Sequence, residues 1–177
     1  MKRKYAISIL VALAYAVTFA QSENNSQSVT DLKDGYVRFK SDTYQIDVPK
    51  DWKVSSETWY GQRKVSPKSG GGELGVMTAP PSRQSWDQVY QTALFYINRE
   101  ESGQPTPYVL TKTKNGYEAA TFRVKDSNGF AKRHYVMIKH EEKGLLALSV
   151  TIPNEDSEKA WTKHFKRMVD SAIFLGE

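Results

Sequence analysis

The chain has no cysteine among its 177 residues. That absence excludes a disulfide framework, cysteine-ligated zinc, iron–sulfur clusters, thiol catalysis and a lipidated N-terminal cysteine. The G-x-S-x-G elbow of serine hydrolases is missing as well. There are only three histidines. His134 and His140 lie roughly 20 Å apart along an extended strand at ~3.3 Å per residue, so they cannot share a metal unless the chain folds back between them. His164 falls on a predicted helix, and nothing matches the usual ligand spacings. His134 therefore reads as a sheet-surface residue, and His140 and His164 as solvated.

Two further patterns start and fail. Gly70, Gly72 and Gly75 satisfy G-x-G-x-x-G, but a dinucleotide site needs a helix to follow and hold the pyrophosphate. Here Val76 opens an apolar run that meets Pro80 and Pro81. The same stretch lacks the Lys-Ser/Thr of a phosphate loop, so the glycines read as a turn. Asp126 and Asn128 begin like a calcium loop, yet Phe130 and Met137 stand where further ligands are needed. The expectation is no cofactor, no metal and no catalytic residue.

An excess of one charge sign is mostly absent too. The formal net charge is +5, and residues 1–20 carry three basic and no acidic residues, so without them it is +2. A near-balanced surface argues against nonspecific nucleic-acid binding, which depends on neutralising many phosphates. Those twenty residues have the build of a secretory signal: Lys2, Arg3 and Lys4, then an apolar run too short to span a bilayer comfortably, then Thr18 and Ala20 at −3 and −1 of a cleavage site before Gln21. The mature protein is expected in the periplasm or secreted, with no stable membrane span after cleavage.

What is present is a globular composition, 39% hydrophobic and 12% aromatic. Residues 21–34 are polar and read as a disordered leader. No internal repeat or later linker appears, so residues 35–177 form one domain. Tyr44, Ile46 and Val48 alternate with Gln45 and Asp47, a period of two that predicts a strand ended by Pro49. Strands are also predicted over 36–39, 59–65, 74–78, 108–113, 117–125, 130–139 and 145–152. The run Leu145, Leu146, Ala147, Leu148 is apolar on both faces and predicts a central strand covered on both sides. Ser85 and Gln88 make a capping box ahead of Trp86, Val89, Tyr90, Ala93, Leu94 and Ile97 at helical spacing. A second helix is predicted over 155–169, with Asn154 as its cap and Trp161, Phe165, Met168 and Val169 as its apolar stripe. Trp52, Trp86 and Trp161 are expected to be buried. The class is α+β, an antiparallel sheet flanked by helices.

Several runs together resemble the PsbP-like superfamily. They are the strand from Tyr44 running through Pro49 into Trp52, then Arg133-His134-Tyr135, then Gly144 to Ser149, Trp161, and the closing Ser171 to Phe174, in that order over residues 36–174. The resemblance implies an α/β/α sandwich around the antiparallel sheet, and binding instead of catalysis. It carries over no metal or photosystem ligand.

Functionally, the sequence favours an exported, noncatalytic binding or accessory protein of the cell envelope. Its partner would be a protein or an envelope polymer, not nucleic acid. The basic residues Lys163 and Arg167 on the last helix, extended by Lys132 and Arg133 on the hairpin before it, make the candidate partner face. The glutamates and aspartate at the start of that helix, with bases further along, also suit the helix dipole, which is the structural reading of the same residues. The alternative function is an envelope hydrolase or metal-binding protein of unrecognised type, with His134 the first residue to mutate.

Overall fold

The computed structural model describes residues 28–55, 62–68, 71–100 and 103–176. The expected signal segment and residues 21–27 of the expected leader lie outside the described residues.

Four strands form a small antiparallel sheet in the order β1-β2-β3-β12: β1 (Ser28–Leu32), β2 (Tyr36–Lys40), β3 (Tyr44–Pro49) and β12 (Ile173–Phe174). Eight form a large antiparallel sheet: β4 (Trp52–Val54), β5 (Gln62–Pro67), β6 (Glu73–Ala79), β11 (Gly144–Thr151), β10 (Arg133–His140) and β9 (Glu118–Lys125) in that spatial order, with β7 (Gln104–Pro105) and β8 (Val109–Lys112) both on β9. Among the described residues there are two α-helices, α1 (Trp86–Glu100) and α2 (Glu158–Ser171), the second entered through a 3-10 turn, Glu155–Ser157. The mixed α+β class follows directly. Neither helix is long and apolar enough to cross a membrane.

The leader is the first departure from expectation. Ser28–Leu32 pairs along its whole length with β2, from Ser28 opposite Lys40 to Leu32 opposite Tyr36. This strand is held by its backbone ladder and by the ion pair of Asp31 with Lys50, while Val29 stays 61% exposed. With no buried face it has no hydrophobic alternation to betray it.

β11 lies at the middle of the large sheet, and its alternation divides two cores. Leu146, Leu148 and Val150 point to one side, where they join Ile46 and Val48 of β3 and Trp161, Phe165 and Met168 of α2. Leu145 and Ala147 point to the other, where they meet Met137, Phe122 and the Val89, Ala93 and Leu94 stripe of α1. Both faces are thus covered, as the doubly apolar run demands. The turn at the glycine-rich stretch serves this packing: a Cβ on Gly72 would lie 2.2 Å from the Thr151 carbonyl and 2.8 Å from the Trp161 ring.

The start of α1 follows its sequence signal. Ser85 Oγ accepts from the Gln88 N–H at 3.3 Å, and Gln88 Oε1 accepts from the Ser85 N–H at 2.9 Å, the reciprocal pair of a capping box. Asn154, expected to cap the second helix, caps the 3-10 turn instead: its Oδ1 accepts from the Ser157 N–H at 3.0 Å, while α2 itself starts after Ser157, whose side chain makes no capping hydrogen bond. Of the three tryptophans expected inside, only Trp161 is buried. Trp52 and Trp86 are half-buried, because β4 is an edge strand and Trp86 is the first residue of its helix.

Candidate functional site

The last helix presents two chemistries on two faces. Trp161, Phe165 and Met168 recur at i, i+4 and i+7 and face the core. Lys159, Thr162, Lys163 and Lys166 remain exposed on the outside. Lys166 pairs with Asp170 one turn on, at 2.6 Å.

Arg167 belongs to neither face. Its Nε and Nη2 donate to Asp47 Oδ2 at 3.1 and 3.0 Å, and Nη2 also reaches Asp34 Oδ2 at 3.0 Å. Its guanidinium lies over the Tyr36 ring, 5.2 Å from the centroid. Asp47 is 1% exposed and accepts from Arg38 Nε as well, at 2.9 Å. The Asp47 N–H, at the edge of β3, donates to Ser171 Oγ at 2.7 Å, and that hydroxyl donates to the Met168 carbonyl. A carboxylate that alternation assigns to a polar strand face is therefore enclosed by two arginines and the end of α2.

The histidines are structural neighbours of this clamp and of the hairpins, not solvated residues. His164 Nδ1 and the Tyr36 hydroxyl share a hydrogen bond at 2.9 Å, and the His164 ring packs 5.0 Å from Trp52, which itself lies 4.8 Å from Trp161. Burial, with the nearby Lys163 charge, holds the His164 pKa below its ordinary value. His140 rests between Tyr117 and Phe174, and its Nδ1 accepts from the Glu142 and Lys143 N–H groups. His134 is 7% exposed, not on an open sheet surface, because it points into the core shared with α2. Burial, then the Arg123 charge, lowers its pKa, against a hydrogen bond to the Ala131 backbone and the Glu158 charge. Among the described residues no three histidine, aspartate or glutamate side chains come together as a metal site.

The four basic residues singled out in the sequence do not share one face. Lys163 is exposed on α2. Arg167 is engaged inward, as above. Lys132 is exposed, and its carbonyl accepts from the Ile152 N–H, which puts it beside the chain entering α2. Arg133 is half-buried and donates from Nη1 to the Tyr135 hydroxyl at 3.1 Å. Tyr135 stacks on Phe122 at 4.8 Å in the α1 core, so Arg133 lies on the opposite side of the sheet from α2. The residues that sequence reasoning missed are Asp47, Asp34, Arg38 and Tyr36. The charge pattern of the strand held one signal, since Arg38 and Asp47 fall opposite each other across the β2–β3 hairpin.

A hollow of about 40 Å³ lies between the start of α1 and the large sheet, lined by Ala79, Pro80, Gln84, Val89, Lys139 and Leu145. It is far below the ~300–1,000 Å³ of small-molecule sites. Lys139 closes it, donating to the Gln84 carbonyl at 2.6 Å with its ammonium over the Trp86 ring.

No family model matches the chain, and no curated relative does. Among solved structures, the chain is similar to the solution structure of cyanobacterial PsbP (CyanoP) from Synechocystis sp. PCC 6803. The TM-score is 0.52 at 14% identity, covering 88% of this chain and 95% of that one. The fold is PsbP-like.

Proposed function

We propose that this chain is an exported, noncatalytic binding or accessory protein of the cell envelope, acting in the periplasm or after secretion. Residues 1–20 are removed, and the single domain captures an acidic protein or envelope polymer. The two covered faces of the large sheet support the α/β/α sandwich that the resemblance implies. One observation carries the reading: the arginines and histidines around α2 are consumed by internal contacts, while Lys159 and Lys163 stand exposed one helical turn apart with no ion pair to a described residue. Their charge is available to a partner, whereas that of Arg167 is not. We take the exposed Lys132, beside the chain entering α2, as an extension of that surface and leave Arg133 out of it.

The test is capture from envelope extracts by the mature domain, compared with Lys159→Glu/Lys163→Glu. Charge reversal and added salt should both weaken retention, since exposed charges are screened over ~10 Å at 0.1 M salt. Capture indifferent to both treatments would refute the lysine surface. Turnover of an ester, peptide or glycan by the same preparation would refute the noncatalytic assignment.

A further inference from the structure

The chain holds two Asn-Gly steps in hairpin turns of the same build, Asn115-Gly116 and Asn128-Gly129. In each the glycine N–H donates to the carbonyl three residues back, Gly116 to Thr113 and Gly129 to Asp126, both at 3.0 Å. The glycine φ angles are 85° and 84°. The residue that opens each turn also closes it: Thr113 Oγ1 accepts from the Tyr117 N–H at 3.2 Å, and Asp126 Oδ1 from the Phe130 N–H at 3.1 Å. Both asparagines are exposed, and nothing lies within 4 Å of where a Cβ would stand on either glycine.

The carboxamides differ. Asn115 Nδ2 donates to the carbonyls of Asp170 and Ala172, at 3.2 and 2.9 Å, and so fastens its turn to the end of α2. The Asn128 carboxamide makes no hydrogen bond to a described residue; its backbone N–H alone is held, by Asp126 Oδ1 at 2.9 Å.

We propose that Asn128 is a site of spontaneous covalent modification, deamidating through a cyclic imide, and that the grip of Asn115 on α2 protects the second Asn-Gly step. The Gly129 nitrogen loses its proton to solvent base and bonds to Cγ of Asn128. The bond from Cγ to the side-chain nitrogen breaks, and ammonia leaves. Water then opens the five-membered imide at either carbonyl, giving aspartate or isoaspartate, with no oxidation or reduction. Glycine favours the step because it has no side chain to obstruct ring closure, and that advantage is the same at both turns. So is the cost of freeing the glycine N–H from its turn carbonyl. Only Asn115 must also release two hydrogen bonds before its Cγ can rotate onto the following nitrogen. At roughly fivefold per bond, Asn115 should react about twenty-five-fold more slowly. The product sets a new negative charge on the turn between Lys125 and Lys132.

The test is a time course of the folded mature chain at mildly alkaline pH, read by peptide mapping with mass spectrometry, beside the same chain in denaturant. In the folded protein, aspartate and isoaspartate should accumulate at position 128 well ahead of position 115. In denaturant the two rates should converge, because the grip on α2 is gone. Equal rates in the folded protein, or no reaction at Asn128, would overturn the proposal. An Asn115 that stays slow in denaturant would overturn it too, since the difference would then lie in local sequence and not in the contact with α2.

Discussion

Arg167 of α2 holds Asp47 of β3 with two nitrogens, at 3.1 and 3.0 Å, and makes a basic helix residue part of the fold. The carboxylate is 2% exposed at its side chain and the guanidinium 38%. The helix lies against the small sheet through this clamp and through Ser171, which accepts from the Asp47 N–H.

The first prediction separates Arg167 from Lys163. Arg167→Ala leaves a buried carboxylate with one arginine where it had two, and should cost about 1–3 kcal/mol, as for an under-satisfied buried acceptor. Lys163→Ala, on the exposed face, should stay within about 0.5 kcal/mol of the parent. Urea denaturation of the two variants checks this. Equal midpoints would mean that the clamp contributes nothing to stability.

The tryptophans grade by burial. Trp161 is 8% exposed, in the core beside Phe165 and Met168, and Trp161→Ala should cost about 3–5 kcal/mol. Trp52 and Trp86 are half-buried, so their alanine variants should lose less. Thermal melting of the three variants should place Trp161→Ala lowest. If Trp52→Ala melts below it, the edge strand β4 matters more to the core than its exposure implies.

Much of this fold was legible because its signals are local. The capping box at Ser85 and Gln88, the period of two at Tyr44, Ile46 and Val48, and the apolar run at Leu145 to Leu148 each correspond to an element in its expected place. β1 was not legible, since both of its faces are solvated and only backbone pairing defines it. The histidines failed for a different reason. His134 sits at the strand end where the core side is closed by α2, an element far away in sequence. Arg167 failed in the same way: helix periodicity fixes its angle on α2, but only the tertiary fold brings Asp47 and Asp34 to it. Of the residues of the expected basic face, Lys163 and Lys132 are exposed, whereas Arg167 is engaged with Asp47 and Arg133 with Tyr135.

Export makes a sharp prediction. In the proposed export, the basic start, the short apolar run and the small residues Thr18 and Ala20 are read as a signal cleaved before Gln21. N-terminal sequencing of the protein recovered outside the cytoplasm should begin at Gln21. A protein beginning at Met1 and sedimenting with membranes would show that the segment is an anchor.

Acid should loosen the interface between α2 and the sheets. His134 and His164 are both held below the ordinary histidine value of 6.5, by burial first, then by Arg123 and Lys163 respectively. The unfolded chain therefore binds protons at these positions more readily than the folded one. The stability they contribute is fully present above the unfolded value and is lost as pH falls from there through the folded values, where the slope levels off. For His164 the structural consequence is direct: a proton gained there puts a positive charge in a partly buried ring beside Lys163. Urea midpoints measured at about pH 7.5 and about pH 5 should drop for the parent, and drop less for His134→Phe and His164→Gln. A parent midpoint that is flat across that range, or variants that keep the full pH dependence, would assign the acid sensitivity to the carboxylates instead.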